Sequence, residues 1–318
     1  MSTIDDALEA AIEKFRLQGR VAVALSGGLD SMVLLDTAAR LTKHRQDIQL
    51  EALHVHHGLS PSADAWVEFC RHECTARKVP LAVEHVAVDC KKTNGQGVEA
   101  AARAVRYRAF VESGAQFVLS AQHADDQAET VLHQLLRGTG WAGLAGMGET
   151  RAISAHATLV RPFLNLERSV IEDFAQSAGL SWVEDESNAD TAYTRNFLRH
   201  NVLPLLGERF AHYRVSLARA ARHAAEADVL LEALAKLDLQ WDGKIAHAGL
   251  LDNLPLERQA NAIYYWLRWQ GISPPSHAQL SEWARQLFRP VPTDKPHQAG
   301  GHGILILRKM GMLQMATP

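Results

Sequence analysis

Cysteine, excess charge and long apolar runs are all scarce in this sequence. Its three cysteines, Cys70, Cys74 and Cys90, are too few and odd in number for a disulfide framework, which suits a reducing compartment. The N-terminus, M-S-T-I-D-D-A-L-E-A, is acidic and amphipathic, with no basic leader region, and no apolar stretch is long enough to span a bilayer. A cytoplasmic protein with no membrane partner is therefore expected. A formal net charge of -3 provides no general positive field, so any nucleic-acid surface has to be a local patch. What remains is 318 residues, 47% hydrophobic and 22% charged, enough for a sizeable core and two domains.

Against that background one stretch stands out, V-A-V-A-L-S-G-G-L-D-S-M-V-L-L-D from Val21 to Asp36. An apolar strand breaks into a glycine-rich turn and resumes at once as a helix. Backbone N–H groups at such a helix start attract anions, and two glycines leave room for a phosphate to approach. Ser26 and Ser31 add hydroxyl donors. Turning and capping alone would also use Ser, Gly and Asp. The loop lacks the Lys of G-x-x-x-x-G-K-[ST] and is not G-x-G-x-x-G, which sets it apart from kinase-like phosphate loops and dinucleotide fingerprints.

Further strands are predicted near Leu50 to Val55, Leu81 to Val88 and Phe117 to Ser120, with helices over roughly Ser31 to Leu41, Ala63 to Arg77, Val98 to Glu112 and Asp125 to Arg137. This alternation is the pattern of an α/β parallel sheet, whose ligands sit beyond the carboxyl ends of the strands. His54, His56 and His57 follow the second strand; His54 and His56 share a strand side, so a metal site is conceivable there, though no cysteine or carboxylate cluster matches it. After the fourth strand comes S-A-Q-H-A-D-D-Q-A-E-T-V-L-H-Q-L-L-R-G-T-G. Asp126 and Glu129, three apart, share a helix face near the nucleotide, with His123 just before them and an apolar face of Val131, Leu132 and Leu135 behind. An acidic first turn that complements the helix dipole has the same composition.

S-G-G-L-D-S resembles the S-G-G-x-D-S loop of the PP-loop ATP pyrophosphatases. H-V-H-H-G-L, H-A-D-D-Q-A-E-T-V-L, L-L-R-G-T-G, R-P-F-L, E-D-E-S-N and R-N-F-L-R-H, in that order, resemble the tRNA(Ile)-lysidine synthetases, densely from Val21 to about Pro204. The resemblance implies an ATP-dependent carbon–nitrogen ligase. It would adenylate O2 of cytidine 34 in a tRNA(Ile) with a CAU anticodon, after which the ε-amine of free L-lysine displaces AMP to give lysidine. The implied nucleotide set is Ser26, Gly27, Gly28, Leu29, Asp30, Ser31 and His56, with ATP as substrate and Asp30 placed either to coordinate Mg²⁺ or to orient the nucleotide. The implied catalytic set is Asp30, Asp126, Glu129, Arg106 and Arg195, with Asp126 and Glu129 at the lysine-binding positions. Arg103 is a further candidate beside Arg106 for the α-phosphate, although exposed helix arginines have the same look. A tRNA thiolase is the alternative within the superfamily; Cys70 and Cys74, four apart on a helix and not C-x-x-C, read as packing residues instead.

Beyond Pro204 the texture changes. Arg209 onward reads as one long amphipathic connector helix, and Arg209, His212, Arg214, Arg219, Arg222 and His223 form a basic stripe that, together with Arg195 and Arg199, would seat an RNA stem, solvated helix charge being the plainer reading. Two more helices and a short strand, G-I-L-I-L-R, follow; Trp266 and Trp269 suit a core better than base stacking. The expected organisation is a catalytic PP-loop domain over 1–208 and, over 209–318, the connector helix with a small, mostly helical tRNA-contacting domain. Many family members carry a further C-terminal domain that contacts the acceptor stem, and the sequence stops at Pro318 before one. The resemblance leaves a homodimer open.

Overall fold

The alternating apolar runs fold as a sheet layered between helices in a computed structural model, which describes residues 2–58, 60–86, 97–186, 190–288, 297–301 and 303–316. Cys90, the expected strand end at Val88, and Ser187 and Asn188 of E-D-E-S-N lie outside the described residues. The chain divides into two compact units, Met1–Ala221 and Arg222–Pro318.

The first unit opens with α1 (Thr3–Phe15), which starts where the Ser2 hydroxyl accepts from the Asp5 N–H and the Asp5 carboxylate accepts from the Ser2 N–H. Then come β1 (Gly19–Ala24), α2 (Leu29–Thr42), β2 (Ile48–His56), α3 (Ala63–Arg77), β3 (Leu81–His85), α4 (Gly97–Glu112), β4 (Phe117–Leu119), α5 (Ala124–Leu136), α6 (Trp141–Leu144), β5 (Thr150–Ala152), β6 (Thr158–Val160) and α7 (Arg168–Ser177). The strand order is β3-β2-β1-β4-β6-β5, parallel except for β5, with Val21 facing Leu50 on one side and Phe117 on the other. Pleating sends alternate residues to opposite faces. Val21 and Val23 join Ile4, Leu8, Met32, Leu35 and Ile171 from α1, α2 and α7, whereas Ala22, Val118 and Leu159 pack with Phe110 of α4. From β1 the chain steps outward through β2 and β3, then returns to add β4 on the other side. The topological switch point, where open α/β sheets bind ligands, thus lies between β1 and β4.

The remainder of this unit is α8 (Thr194–Phe197), a π-turn over Leu198–Val202, α9 (Leu203–Arg209) and the start of α10 (Tyr213–Asp238). The expected connector from Arg209 onward is the single helix α10, which starts at Tyr213, and α9 ends at Arg209 before it. The Phe210 N–H closes α9 on the Leu206 carbonyl, and Tyr213 restarts the chain by burying against Ala128 and Leu203.

In the second unit, β7 (Ala246–His247), a 3₁₀ turn (Gly249–Asn253), α11 (Leu256–Trp269), α12 (His277–Leu287), β8 (His297–Gly301), β9 (Ile304–Lys309) and β10 (Met312–Ala316) surround a core of Ile263, Trp266, Leu280, Trp283 and Ile306. Beside the two expected helices stands a four-stranded antiparallel sheet, ordered β7-β10-β9-β8, of which the sequence had shown β9 alone. Trp266 is core, and Trp269 stacks on Trp241 at 5.0 Å while donating to Glu232. No helix among the described residues is long and apolar enough to cross a membrane.

Candidate active site

The Ser26–Ser31 turn leaves the carboxyl end of β1 and is held by its own hydroxyls. Ser31 Oγ donates to the Gly28 carbonyl at 2.9 Å and accepts from the Ser26 N–H at 3.2 Å, and Ser26 Oγ accepts from the Gly28 N–H at 3.3 Å. Gly27 sits at φ +88°, in the left-handed region that favours glycine. A Cβ there would stand 3.0 Å from Val183 Cγ2 and 3.2 Å from Cys70 Sγ, and the Gly27 carbonyl accepts from the Val183 N–H. Gly28 is the residue from which α2 starts, so the first-turn amides of α2 open at the switch point. Leu29 turns back onto the core.

Across the switch point, α5 begins directly after β4 with His123 as its cap. The buried imidazole is ringed by acids: Nε2 lies 3.4 Å from Asp126 Oδ2 and 3.8 Å from Asp30 Oδ2, and Nδ1 lies 3.8 Å from Asp125 Oδ2. Two arginines from the α8 and π-turn segment complete the group. Arg199 reaches Asp126 Oδ1 at 2.9 Å and Glu129 Oε2 at 2.8 Å, while Arg195 Nη1 donates to Glu129 Oε1 at 3.2 Å. Asp125 is taken by the Arg168 backbone N–H and by Arg214. A cavity of about 430 Å³ opens beside the cluster, lined by His123, Asp125, Arg168, Arg199, Tyr213 and Arg214 among others.

Burial dominates the electrostatics. It raises the Asp30 carboxyl above its ordinary value, with Asp126 pushing the same way and His123 opposing. Glu129, 2% exposed, is also raised by burial despite Arg199 and Arg195. Asp125 goes the other way: burial pushes it up, but the Arg168 N–H and Arg214 outweigh that and leave it low. Asp30 Oδ1 is buried without a hydrogen-bond partner, which fits an oxygen reserved for a hard cation or a ligand proton. Among the described residues no group of three or more His, Cys, Asp or Glu side chains could hold a metal, so a cation at Asp30 would need phosphate oxygens to complete its shell.

Asp30, Asp126, Glu129 and Arg195 thus meet in one cluster, together with the phosphate loop. His56 is held elsewhere. Arg106 is exposed, and its charge adds to burial in depressing His57 to about 4; His56 Nε2 bonds Asp64 at 3.1 Å and its ring lies 4.7 Å from that of His85. The buried His54 ring bonds the Leu25 carbonyl and so ties the end of β2 to the end of β1. Leu135, expected behind α5, is exposed, and Leu132 packs with Leu203 and Tyr213 instead. Within the basic stripe, Arg214 is committed to Asp125, and Arg195 and Arg199 are committed to the cluster. Asp125 and Arg168 were not anticipated; H-A-D-D contains the first, while the second joins through the fold alone.

Residues 1–206 match the model of the PP-loop domain, and 248–310 match that of the TilS substrate binding domain. The chain belongs to the PP-loop family. Among curated proteins it is 46% identical over 291 residues to a tRNA(Ile)-lysidine synthase of Burkholderia pseudomallei, covering 89% of this chain and 58% of that one. It is 42% identical over 268 residues to one of Chromobacterium violaceum, covering 83% and 61%. The chain thus spans about three fifths of the length of the curated relatives it matches. Among solved structures, the U34-tRNA thiolase NcsA from Methanococcus maripaludis superposes with a TM-score of 0.60 at 16% identity, over 70% of this chain and 78% of that one, a likeness of fold. This PP-loop chain keeps Cys70 and Cys74 buried, their thiols pushed up by burial to about 12 and about 11, values that leave almost no thiolate at neutral pH.

Proposed function

We propose that the protein is a tRNA(Ile)-lysidine synthetase, using ATP to adenylate O2 of cytidine 34 in a CAU anticodon and then joining L-lysine at C2. The observation that carries this reading is the arrangement of the switch point: a phosphate-cradling loop on one side and, on the other, half-buried Asp126 and buried Glu129 bridged by one arginine.

In the first step the cytidine oxygen attacks the α-phosphorus, the α–β bond breaks and pyrophosphate leaves into the Ser26–Ser31 loop, whose amides and hydroxyls match its oxygens. Asp30 would hold Mg²⁺ together with those phosphates, neutralising charge that builds on them. Arg195 and Arg199 bring fixed positive charge to the same place. In the second step the lysine ammonium has to be bound, deprotonated and brought to C2. Asp126 and Glu129 supply the anionic partners, and the raised Glu129 carboxyl is suited to accept the proton as AMP departs with the cytidine oxygen. Here the arginines serve as counter-ions that the incoming ammonium replaces in part.

Incubating the protein with ATP, labelled lysine and unmodified tRNA bearing a CAU anticodon tests the proposal. Label in the RNA, with stoichiometric AMP and pyrophosphate, is the expected result. Label absent from the RNA while ATP is still split would exclude lysine as the nucleophile.

A further inference from the structure

A second group of arginines, apart from the α5 cluster, gathers around Tyr107 at the carboxyl edge of the same sheet. Arg161, directly after β6, is 3% exposed; its Nε donates to Gln122 Oε1 at 2.6 Å and its Nη1 to the Gly148 carbonyl at 2.7 Å. Arg103 of α4 donates to the Tyr107 hydroxyl at 3.3 Å, with its guanidinium carbon 5.4 Å from the ring centre. Arg151 of β5, exposed, lies over the same ring at 4.9 Å. None of the three is ion-paired to a carboxylate among the described residues. Burial lowers the Arg161 pKa, with Arg103 and Arg151 pushing the same way and the Tyr107 phenol, hydrogen-bonded to it, opposing.

That is the reverse of the α5 cluster, where Arg195, Arg199 and Arg214 each have an acid. A buried guanidinium without a counter-ion is costly, and three cations sharing one phenol repel one another. The phenol registers their field: burial pushes Tyr107 up, yet Arg103, Arg161 and Arg151 together bring it below its ordinary value. The unbalanced charge calls for an anion, and planar guanidinium forks beside a hydroxyl suit the oxygens of a phosphate.

The position of the group says which phosphate. Arg161 leaves β6, and β4 lies between β6 and the strand that feeds the phosphate loop, so the two sites are about two strand spacings, roughly 10 Å, apart along the sheet. They also lie toward opposite faces, because Val160 packs on the α2 side and Leu159 on the α4 side. One phosphate cannot serve both. A nucleotide whose base enters the cleft from above the strand ends carries its backbone phosphate at about that remove from the reacting atom.

We infer that Arg103, Arg151 and Arg161, gathered about Tyr107, bind a backbone phosphate of the RNA that the enzyme modifies. The inference rests on the proposed function for the identity of that RNA and on charge and geometry for the site.

The test measures binding of an anticodon stem-loop RNA with a CAU loop to the full chain across a salt titration, with ATP binding measured in parallel. Arg151→Gln, on an exposed edge strand, should weaken RNA binding about tenfold and reduce the slope of log affinity against log salt by about 0.7, leaving ATP binding unchanged. Arg161→Lys, which keeps the charge but loses the fork, should weaken RNA binding with a smaller change of slope. In ultraviolet titration, the tyrosinate transition that Tyr107→Phe removes should move to higher pH when the RNA is added. RNA affinity and slope unchanged in Arg151→Gln, or ATP binding lost in place of RNA binding, overturns the inference. If the slope change appears while no lysine enters any tRNA, the proposed activity falls and the phosphate site stands.

Discussion

Arg199 bridges Asp126 and Glu129, 2.9 Å from one carboxylate and 2.8 Å from the other, across 73 and 70 residues of sequence. Two acids at one helix face repel unless a cation lies between them, and the same pair becomes a receptor for an ammonium once that cation is shared. Glu129→Gln keeps the shape and loses the charge. It should allow adenylated tRNA to accumulate while slowing lysine transfer by about 100-fold or more. Rapid-quench measurement of AMP–RNA and of lysyl-RNA separates the steps; equal loss of both would give Glu129 a role in adenylation instead.

Asp30 carries a different cost. Its buried carboxyl is raised above the ordinary 3.8, so the folded chain takes up the proton at a higher pH than the unfolded chain does. Ionised Asp30 therefore weakens the fold at neutral pH, and that penalty fades as pH falls through the raised value. Asp30→Asn should abolish pyrophosphate release while melting at or above the wild-type temperature near pH 7.5, and the difference in melting temperature should shrink in acid. A variant that melts well below wild type at neutral pH would make Asp30 a structural anchor.

Gly27 is set by the backbone. At φ +88°, with Val183 and Cys70 against the place of a Cβ, Gly27→Ala should cost about 1–3 kcal/mol and weaken ATP binding with it. Gly28, whose Cβ would meet nothing nearer than 3.5 Å, should tolerate alanine far better in thermal melts, though with weaker phosphate binding.

The features that were legible in the sequence are local ones. Glycines and hydroxyls in six consecutive residues announce the turn, and the 2- and 3.6-residue periods announce β1, β2 and helices α3 and α5. β5 and β6, three residues each, are too short to show a period. The π-turn has no period of its own to show, and at the break before Tyr213 the Phe210 N–H closes α9 on the Leu206 carbonyl while Tyr213 packs with Ala128 and Leu203. Arg106 and Arg199 are equally plausible as sequence, each one arginine of a helical run. That Arg199 faces the carboxylates depends on how the segment after α7 crosses the switch point, and no spacing along the chain encodes that.

The two described cysteines bear on the choice between the ligase and the thiolase readings of the fold. Cys70 packs against Gly27 and lies 3.6 Å from His54 Nδ1, and Cys74 lies one helical turn further along α3; both are buried, with thiols at about 12 and about 11. Sulfur transfer needs a thiolate or a cluster ligand, whereas adenylation and amine transfer need neither. Cys70→Ala with Cys74→Ala should therefore lower the melting temperature, through lost packing under the phosphate loop, and leave lysine incorporation per folded molecule within about threefold of wild type. Thiol reagents should label Cys70 and Cys74 slowly in the native protein and rapidly after unfolding. Loss of turnover in the double variant at unchanged melting temperature would assign the sulfurs to chemistry.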